Sequence, residues 1–298
     1  MSEETYEKYF EAGKIAKEIK RIIPSLVKPG AKVIGICETI ENKIRSKGAK
    51  PAFPVNISIN HVAAHYTSPP GDKTVIRDGD IVKVDFGVHI DGCIVDTALT
   101  IDLSGEHTLM VQAAESALEA AFRLLRDGVN TKDIGFTIYK VITTSGFKPI
   151  SNLVGHLIKR YRLHAGIEIP NVPVHFGKKL KSGFIVAIEP FVTTPSSVGR
   201  VKESKEVYIF SILRTYSRSQ EIKSILDFIS EKFSLLPFCE RWLLSKFSSS
   251  SHAIIEKLLS SKYIRGYNVL VEATGGVVTQ AEDTFLITED SAINLTGV

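Results

Sequence analysis

VKVDFGVHIDGCIVDTALT, residues 82–100, decides how this chain is read. Two apolar, β-branched runs flank an Asp-Gly turn signal, which predicts a β-hairpin, yet each arm carries an aspartate inside its hydrophobic pattern. A turn centred on Ile90-Asp91 sets Asp85 and Asp96 face to face; one centred on Asp91-Gly92 makes them diagonal neighbours. Side chains alternate along strands, so in both registers the carboxylates share one face of the sheet. At a separation of about 5 Å and an effective dielectric near 20, two ionised carboxylates repel by roughly 3 kcal/mol. A shared proton, a basic side chain or a bound cation must offset this. Lys83 lies two residues from Asp85 on the same face, although its flexible stem could reach solvent instead.

Outward from the hairpin, the N-terminal residues 5–23 space Tyr6, Tyr9, Phe10, Ile15, Ile19 and Ile22 as an amphipathic helix, ended by Pro29-Gly30. A second helix is predicted over about 33–46, closed by Gly48, before the extended, proline-punctuated GAKPAFPVNISIN. The pattern then recurs, since LLRDGVNTKDIGFTIYKVITTSGFKPISN from Leu124 echoes LVKPGAKVIGICETIENKIRSKGAKPAF from Leu26. One helix-helix-strand unit therefore occurs twice. Pro51 precedes His65 by fourteen residues and Pro149 precedes His164 by fifteen, so the two histidines occupy matching positions of the two halves.

SGFIVAIEPFVTT and YNVLVEATGGVVTQAEDTFLIT read as strands by alternation and β-branching. Between them, residues 200–265 look different, with helical spacing in EIKSILDFISEKF and AIIEKLLSSKY, a serine cluster at 248–251, and about the whole positive surplus of the chain. This segment is expected to be an inserted helical subdomain. The 298 residues, 44% hydrophobic and 23% charged with net charge +4, are those of an ordinary globular protein. MSEETYEKYFEAGKIAKEIK has no apolar run of a secretion signal, and GFIVAI is far too short to cross a bilayer, so a cytoplasmic protein is expected. Cys37, Cys93 and Cys239 are odd in number and widely spaced, which favours neither disulfides nor a structural zinc site.

The other acids and histidines in apolar segments extend the hairpin's problem. His156 and His164 lie eight residues apart, on one face of the segment if it is extended; Glu189 interrupts FIVAIEPF, and Glu282 precedes DTFLIT. Four carboxylates and an imidazole are hard oxygen donors with one nitrogen, suited to manganese, iron, cobalt or zinc, and four negative charges balance two divalent cations.

The order Asp85, Asp96, His156 in GH, Glu189 in IEPF and Glu282 before the final strand resembles the five-ligand pattern of the methionine aminopeptidase and prolidase superfamily, over nearly the whole chain. FPVNISINHVAAHYTSPPGD resembles the segment carrying one active-site histidine, here His65, and LHAG the segment carrying a second, here His164. The resemblance implies an α+β pita-bread fold with pseudo-twofold halves: residues 1–195 and 268–298 form the catalytic domain and 196–267 an inserted helical, winged-helix-like subdomain. The 93-residue step from Glu189 to Glu282 resembles the type II enzymes, and the lack of a polybasic extension the archaeal ones; Pro190 departs from the threonine usual in type II.

The resemblance further implies two divalent metal ions. Asp85 would hold one, His156 and Glu189 the other, and Asp96 and Glu282 would bridge. A bridging hydroxide would attack the carbonyl of an N-terminal methionine, with Glu189 moving the proton, His164 stabilising the oxyanion and His65 holding the scissile amide. Phe53, His65, Leu163 and Phe191 would line the methionine pocket, and the second residue should be small. The expected partners are N-termini of nascent polypeptides and, transiently, the ribosome, with a monomeric state; the basic insert reads first as a solvated helical face and, in the alternative, as a surface for an anionic partner. An X-Pro peptidase would use the same ligands, but those enzymes usually carry a sizeable domain before the first aspartate, and here 84 residues precede Asp85. A non-catalytic ribosome- or RNA-binding relative would be expected to have lost ligands. His61, His89, His107, His175 and His252 match no position of the pattern and are expected at the surface or in structural roles.

Overall fold

The computed structural model describes residues 2–247 and 250–297; Ser248 and Ser249 of the serine cluster lie outside the described residues. The first half comprises helices α1 (Glu3–Leu26) and α2 (Val33–Ser46), the short strands β1 (Lys50–Pro51), β2 (Asn56–Ile59) and β3 (Val62–Ala64), and the hairpin β4 (Ile81–Ile90) and β5 (Cys93–Asp102). Ser2 caps α1 by accepting the Thr5 N–H, and Glu3 and Glu4 complement the positive end of the helix dipole. Tyr9, Ala12, Ile15, Ala16, Ile19 and Ile23 form its buried face and pack against the hairpin.

The second half repeats this order with α3 (Thr108–Phe122), α4 (Thr131–Thr144), β6 (Lys148–Pro149), β7 (Val154–Ile158), β8 (Glu168–Pro170), β9 (Ile185–Ile188) and β10 (Phe191–Thr193). One apolar cluster is built mainly from the first half and another mainly from the second, with Ile158 of β7 and Ile185 and Ala187 of β9 crossing into the first. Both Lys-Pro strands follow a helix that ends in a left-handed glycine, Gly48 or Gly146, a conformation that costs glycine little.

The hairpin takes one of the two registers expected. Ile90 pairs with Cys93, so the turn is Asp91-Gly92, with φ of 49° and 83°, the two-residue geometry that matches strand twist. The His89 Nδ1 accepts the Gly92 N–H, and the Tyr161 ring lies where a Cβ on Gly92 would stand. Asp96 faces Gly87, and Asp85 faces Ala98, so the two aspartates are diagonal neighbours.

The remaining strands are β11 (Val201–Ile212), β12 (Phe238–Cys239), β13 (Ile264–Glu272), β14 (Val278–Gln280), β15 (Asp283–Ile287) and β16 (Ala292–Asn294), with helices α5 (Gln220–Phe233), α6 (Glu240–Phe247) and α7 (Ser251–Ser260). Segment 200–265 is therefore less helical than its sequence promised, because two long strands, β11 and β13, frame the three helices. Charges through VKESKE and register shifts near Val207 erase the alternation that would have marked β11. Helices α5 to α7 share an apolar cluster with Phe210 and Phe238. Among the described residues no helix is long and apolar enough to cross a membrane.

Strand β15 closes the molecule. It pairs with β9 of the second half, while its lead-in residue Glu282 exchanges backbone hydrogen bonds with Ala98 of β5 at 3.2 and 3.1 Å. Beside that bridge, the Thr284 hydroxyl donates to the Asp96 carbonyl and accepts the Asp96 N–H, both at 2.7 Å.

Candidate metal centre

Asp85 comes from β4, Asp96 from β5, His156 from β7, Glu189 from the step between β9 and β10, and Glu282 from the step between β14 and β15. All five line one cavity of about 390 Å³, together with His65, His164, Phe53, Leu163 and Phe191. Ligand atoms of Asp96, His156 and Glu282 lie within 4.8 Å of one another. The His156 Nε2 stands 3.5 Å from Asp96 Oδ2 and 3.6 Å from Glu189 Oε1, too far for good hydrogen bonds but suited to an intervening ion.

Glycines make this convergence possible. A Cβ on Gly155 would meet the Ala187 carbonyl at 2.4 Å, so the Gly-His pair lets β7 approach β9 and aims His156 inward. A Cβ on Gly87, opposite Asp96, would strike the Phe53 ring at 2.5 Å. The glycine in VDFGV thus leaves space for the apolar wall beside the acids.

The electrostatics are those of an acid cluster without countercharge. Desolvation pushes Asp96 up to about 8 and raises Asp85, Glu189 and Glu282 well above the carboxylate range, with repulsion from neighbouring carboxylates adding to the shift of the last three. Burial pushes His156 down to about 4, leaving it neutral and able to bind a metal. Among the described residues, Asp85 Oδ1 and Asp96 Oδ1 are buried with no hydrogen-bond partner, and of the four acids only Glu282 receives a side-chain hydrogen bond, from Gln280 Nε2 at 3.0 Å. Buried charges without donors are costly unless paired or coordinated. The donor set and the orphaned oxygens therefore fit divalent cations held among these residues.

Lys83 does not neutralise the acids, nor does its stem reach solvent. It is fully buried, pushed down to about 7 by burial, and its Nζ donates to the carbonyls of Asn60 and Val278. His156 and His164 come together, with ring centroids 4.3 Å apart, but not along one extended strand. Strand β7 ends at Ile158, and the chain reverses through Tyr161, at φ 55°, to bring His164 back over the site. His164 opens to the cleft, where desolvation and the neighbouring His156, His65 and Arg265 disfavour its cationic form.

His65 also adopts a left-handed backbone, φ 66°, which a non-glycine residue holds only when its surroundings impose it. Its Nδ1–H donates to the Asn268 carbonyl at 3.1 Å and its ring meets Tyr267 edge-on. Desolvation keeps it neutral, so the other nitrogen is a free acceptor.

Several cavity residues escape sequence reading. Asn56 pairs with Asp85 across β2 and β4 and is buried with an unpartnered Oδ1; its polarity within VNISI is the signal that marks it. Ile209, Pro237 and Tyr267 bring the 200–267 segment into the cavity wall, a long-range contact that no local pattern carries. The five histidines outside the pattern all lie away from the cavity: His89 is buried at the hairpin turn, His107 is half-buried, and His61, His175 and His252 are exposed.

The profile of metallopeptidase family M24 matches residues 7–289. The chain belongs to metallopeptidase family M24. As a member it is a metal-dependent peptidase, a hydrolase with the pita-bread fold. It is 43% identical over 291 residues to the methionine aminopeptidase of Methanocaldococcus jannaschii, covering 97% of this chain and 98% of that one. Among solved structures it is similar to a thermophilic Arx1, with a TM-score of 0.87 at 19% identity, covering all of this chain and 92% of that one. It also resembles the methionine aminopeptidase of Thermotoga maritima, with a TM-score of 0.73 at 22% identity, covering all of this chain and 98% of that one. At these identities the two structural likenesses speak for the M24 fold alone.

Proposed function

We propose that the chain removes the N-terminal methionine from nascent polypeptides in the cytoplasm, preferring a small second residue. The observation that carries this reading is the uncompensated cluster of Asp85, Asp96, His156, Glu189 and Glu282 lining a cavity that is otherwise largely apolar; archaeal relatives named methionine aminopeptidase, matched over nearly their whole length, support it. Asp85 would hold one divalent ion, His156 and Glu189 the other, and Asp96 and Glu282 would serve both; cobalt, manganese, iron or zinc suits these donors. When bound, the ions supply a water acidified to near neutral pH and polarise the substrate carbonyl.

The chain's own residues do the rest. Glu189 takes the proton of the attacking water and returns it to the departing amine. His164, beside His156, donates to the oxygen that gains charge, and the free nitrogen of His65 accepts the N–H of the scissile amide. Phe53, Leu163 and Phe191 enclose the methionine side chain with Ile209 and Tyr267.

Metal-reconstituted protein incubated with Met-Ala-Ser, with Met-Pro peptides and with X-Pro peptides lacking methionine tests this. Free methionine is the expected product, and a chelator stops its release. Turnover of X-Pro substrates alone would transfer the chain to the prolidase activity, and RNA binding without turnover would make it a non-catalytic relative.

A further inference from the structure

Lys83 is among the largest fully buried side chains of the protein, although lysine is rarely enclosed without an anionic partner. Among the described residues no carboxylate lies within ion-pair distance of it; its Nζ donates to two backbone carbonyls, Val278 O at 2.7 Å and Asn60 O at 3.1 Å. A leucine or methionine would fill the same volume with no polar group to desolvate, so packing alone does not account for it.

The two carbonyls belong to segments that present opposite parts of the site. Asn60, left-handed at φ 52°, makes the turn from β2 to β3, and β3 leads directly to His65. The side chain of Asn60 is engaged elsewhere, with Asp80 and the Ile81 N–H, so its carbonyl is what faces inward; it accepts the Val278 N–H as well as the lysine. Val278 opens β14, which carries Gln280, the donor to Glu282, and ends two residues before Glu282.

We propose that Lys83 is a positioning residue: its side-chain amino group, fixed on β4 two residues from Asp85, helps tie the turn that presents His65 to the strand that presents Glu282. The side chain acts through backbone and touches neither ions nor substrate. For its effect on turnover the inference rests on the proposed peptidase reading; for its effect on the Glu282 side it does not.

The test compares Lys83→Met, which keeps the bulk and loses the donor, with Lys83→Ala, which leaves a space lined by the two carbonyls. Both are measured for methionine release and, by calorimetry, for manganese affinity, with and without methylammonium. Losing the lysine link, with the Val278 N–H to Asn60 O bond left to hold the two segments alone, is expected to lower kcat/KM on the order of 100-fold, as for small displacements of catalytic groups, and manganese affinity about 10- to 100-fold, as for outer partners of metal ligands. Methylammonium, which can sit between the carbonyls and donate, should restore both in Lys83→Ala; tetramethylammonium should not, and Lys83→Met should respond to neither. Wild-type kcat/KM and manganese affinity in Lys83→Met would overturn the proposal, as would a Lys83→Ala protein indifferent to methylammonium. If the wild type binds manganese but releases no methionine, the proposed function fails alone, and the manganese affinities of the variants still decide the role of Lys83.

Discussion

Two groups of buried acids in this protein are treated in opposite ways. Glu41, on α2, is 1% exposed and completely answered: Arg241 of α6 grips it through two nitrogens at 2.8 and 2.9 Å, Trp242 Nε1 donates at 2.7 Å, and the Val55 N–H donates at 3.3 Å. Arg241 also donates to Ser68 O and Thr67 Oγ1, which ties the 200–267 segment to the chain just beyond His65. In the cleft, four carboxylates share one intramolecular side-chain donor, and Asp85 and Asp96 keep orphaned oxygens. Glu41 has its cation from the protein itself. The cleft acids have none, as the proposed metal site requires.

The sharpest way to break this contrast is to remove one cleft acid. Asp96→Asn, or chelation of the wild type, should bring methionine release to background. The same change should stabilise the metal-free protein at neutral pH, because a carboxylate whose folded pKa lies at about 8 binds its proton more tightly in the native state than in the unfolded chain. Its stability contribution is complete below the ordinary value of 3.8 and is lost as pH rises through about 8. Thermal melts of chelated protein should therefore fall across that window, less steeply in Asp96→Asn, and added manganese should cancel the fall in the wild type.

Removing the acid of the other group should have the reverse character. Glu41→Ala leaves the Arg241 guanidinium buried and unpaired, at a cost of about 3–5 kcal/mol in urea unfolding whether or not metal is present. Were metal to rescue this variant, the two acid groups would not be independent.

Smaller effects test the walls of the cleft. His164→Ala should lower kcat about 100- to 1,000-fold, the usual loss for one donor to a developing oxyanion, with manganese affinity unchanged in calorimetry. Replacing methionine by S-methylcysteine at the substrate N-terminus shortens the side chain by one methylene and should cost about 1–3 kcal/mol in kcat/KM.

Much of this was legible from one strand pair. Two aspartates inside VKVDFGVHIDGCIVDTALT fall on one face of the hairpin in either turn register, and the structure takes the Asp91-Gly92 turn that makes them diagonal neighbours. The duplicated Gly-x-Lys-Pro marked equivalent points of two halves, because backbone reversals leave a glycine signature in local sequence. What stayed hidden depends on contacts between distant segments. The bulged, charged strand β11 lacks a period, and Ile209 and Tyr267 enter the cavity only through the pairing of β11 with β13. The destination of Lys83 is set by two carbonyls, which carry no side-chain signal at all.

The seam at β15 has a consequence for how a peptide can enter. Thr284 and Glu282 are stitched to β5 while the same strand is paired with β9, so the halves are not jaws about a hinge; separating them would tear apart the floor that gathers Asp96 and Glu282. The cleft therefore has a fixed floor that does not part to receive a ligand. On the proposed peptidase reading, the substrate has to reach that floor through the existing mouth of the cavity.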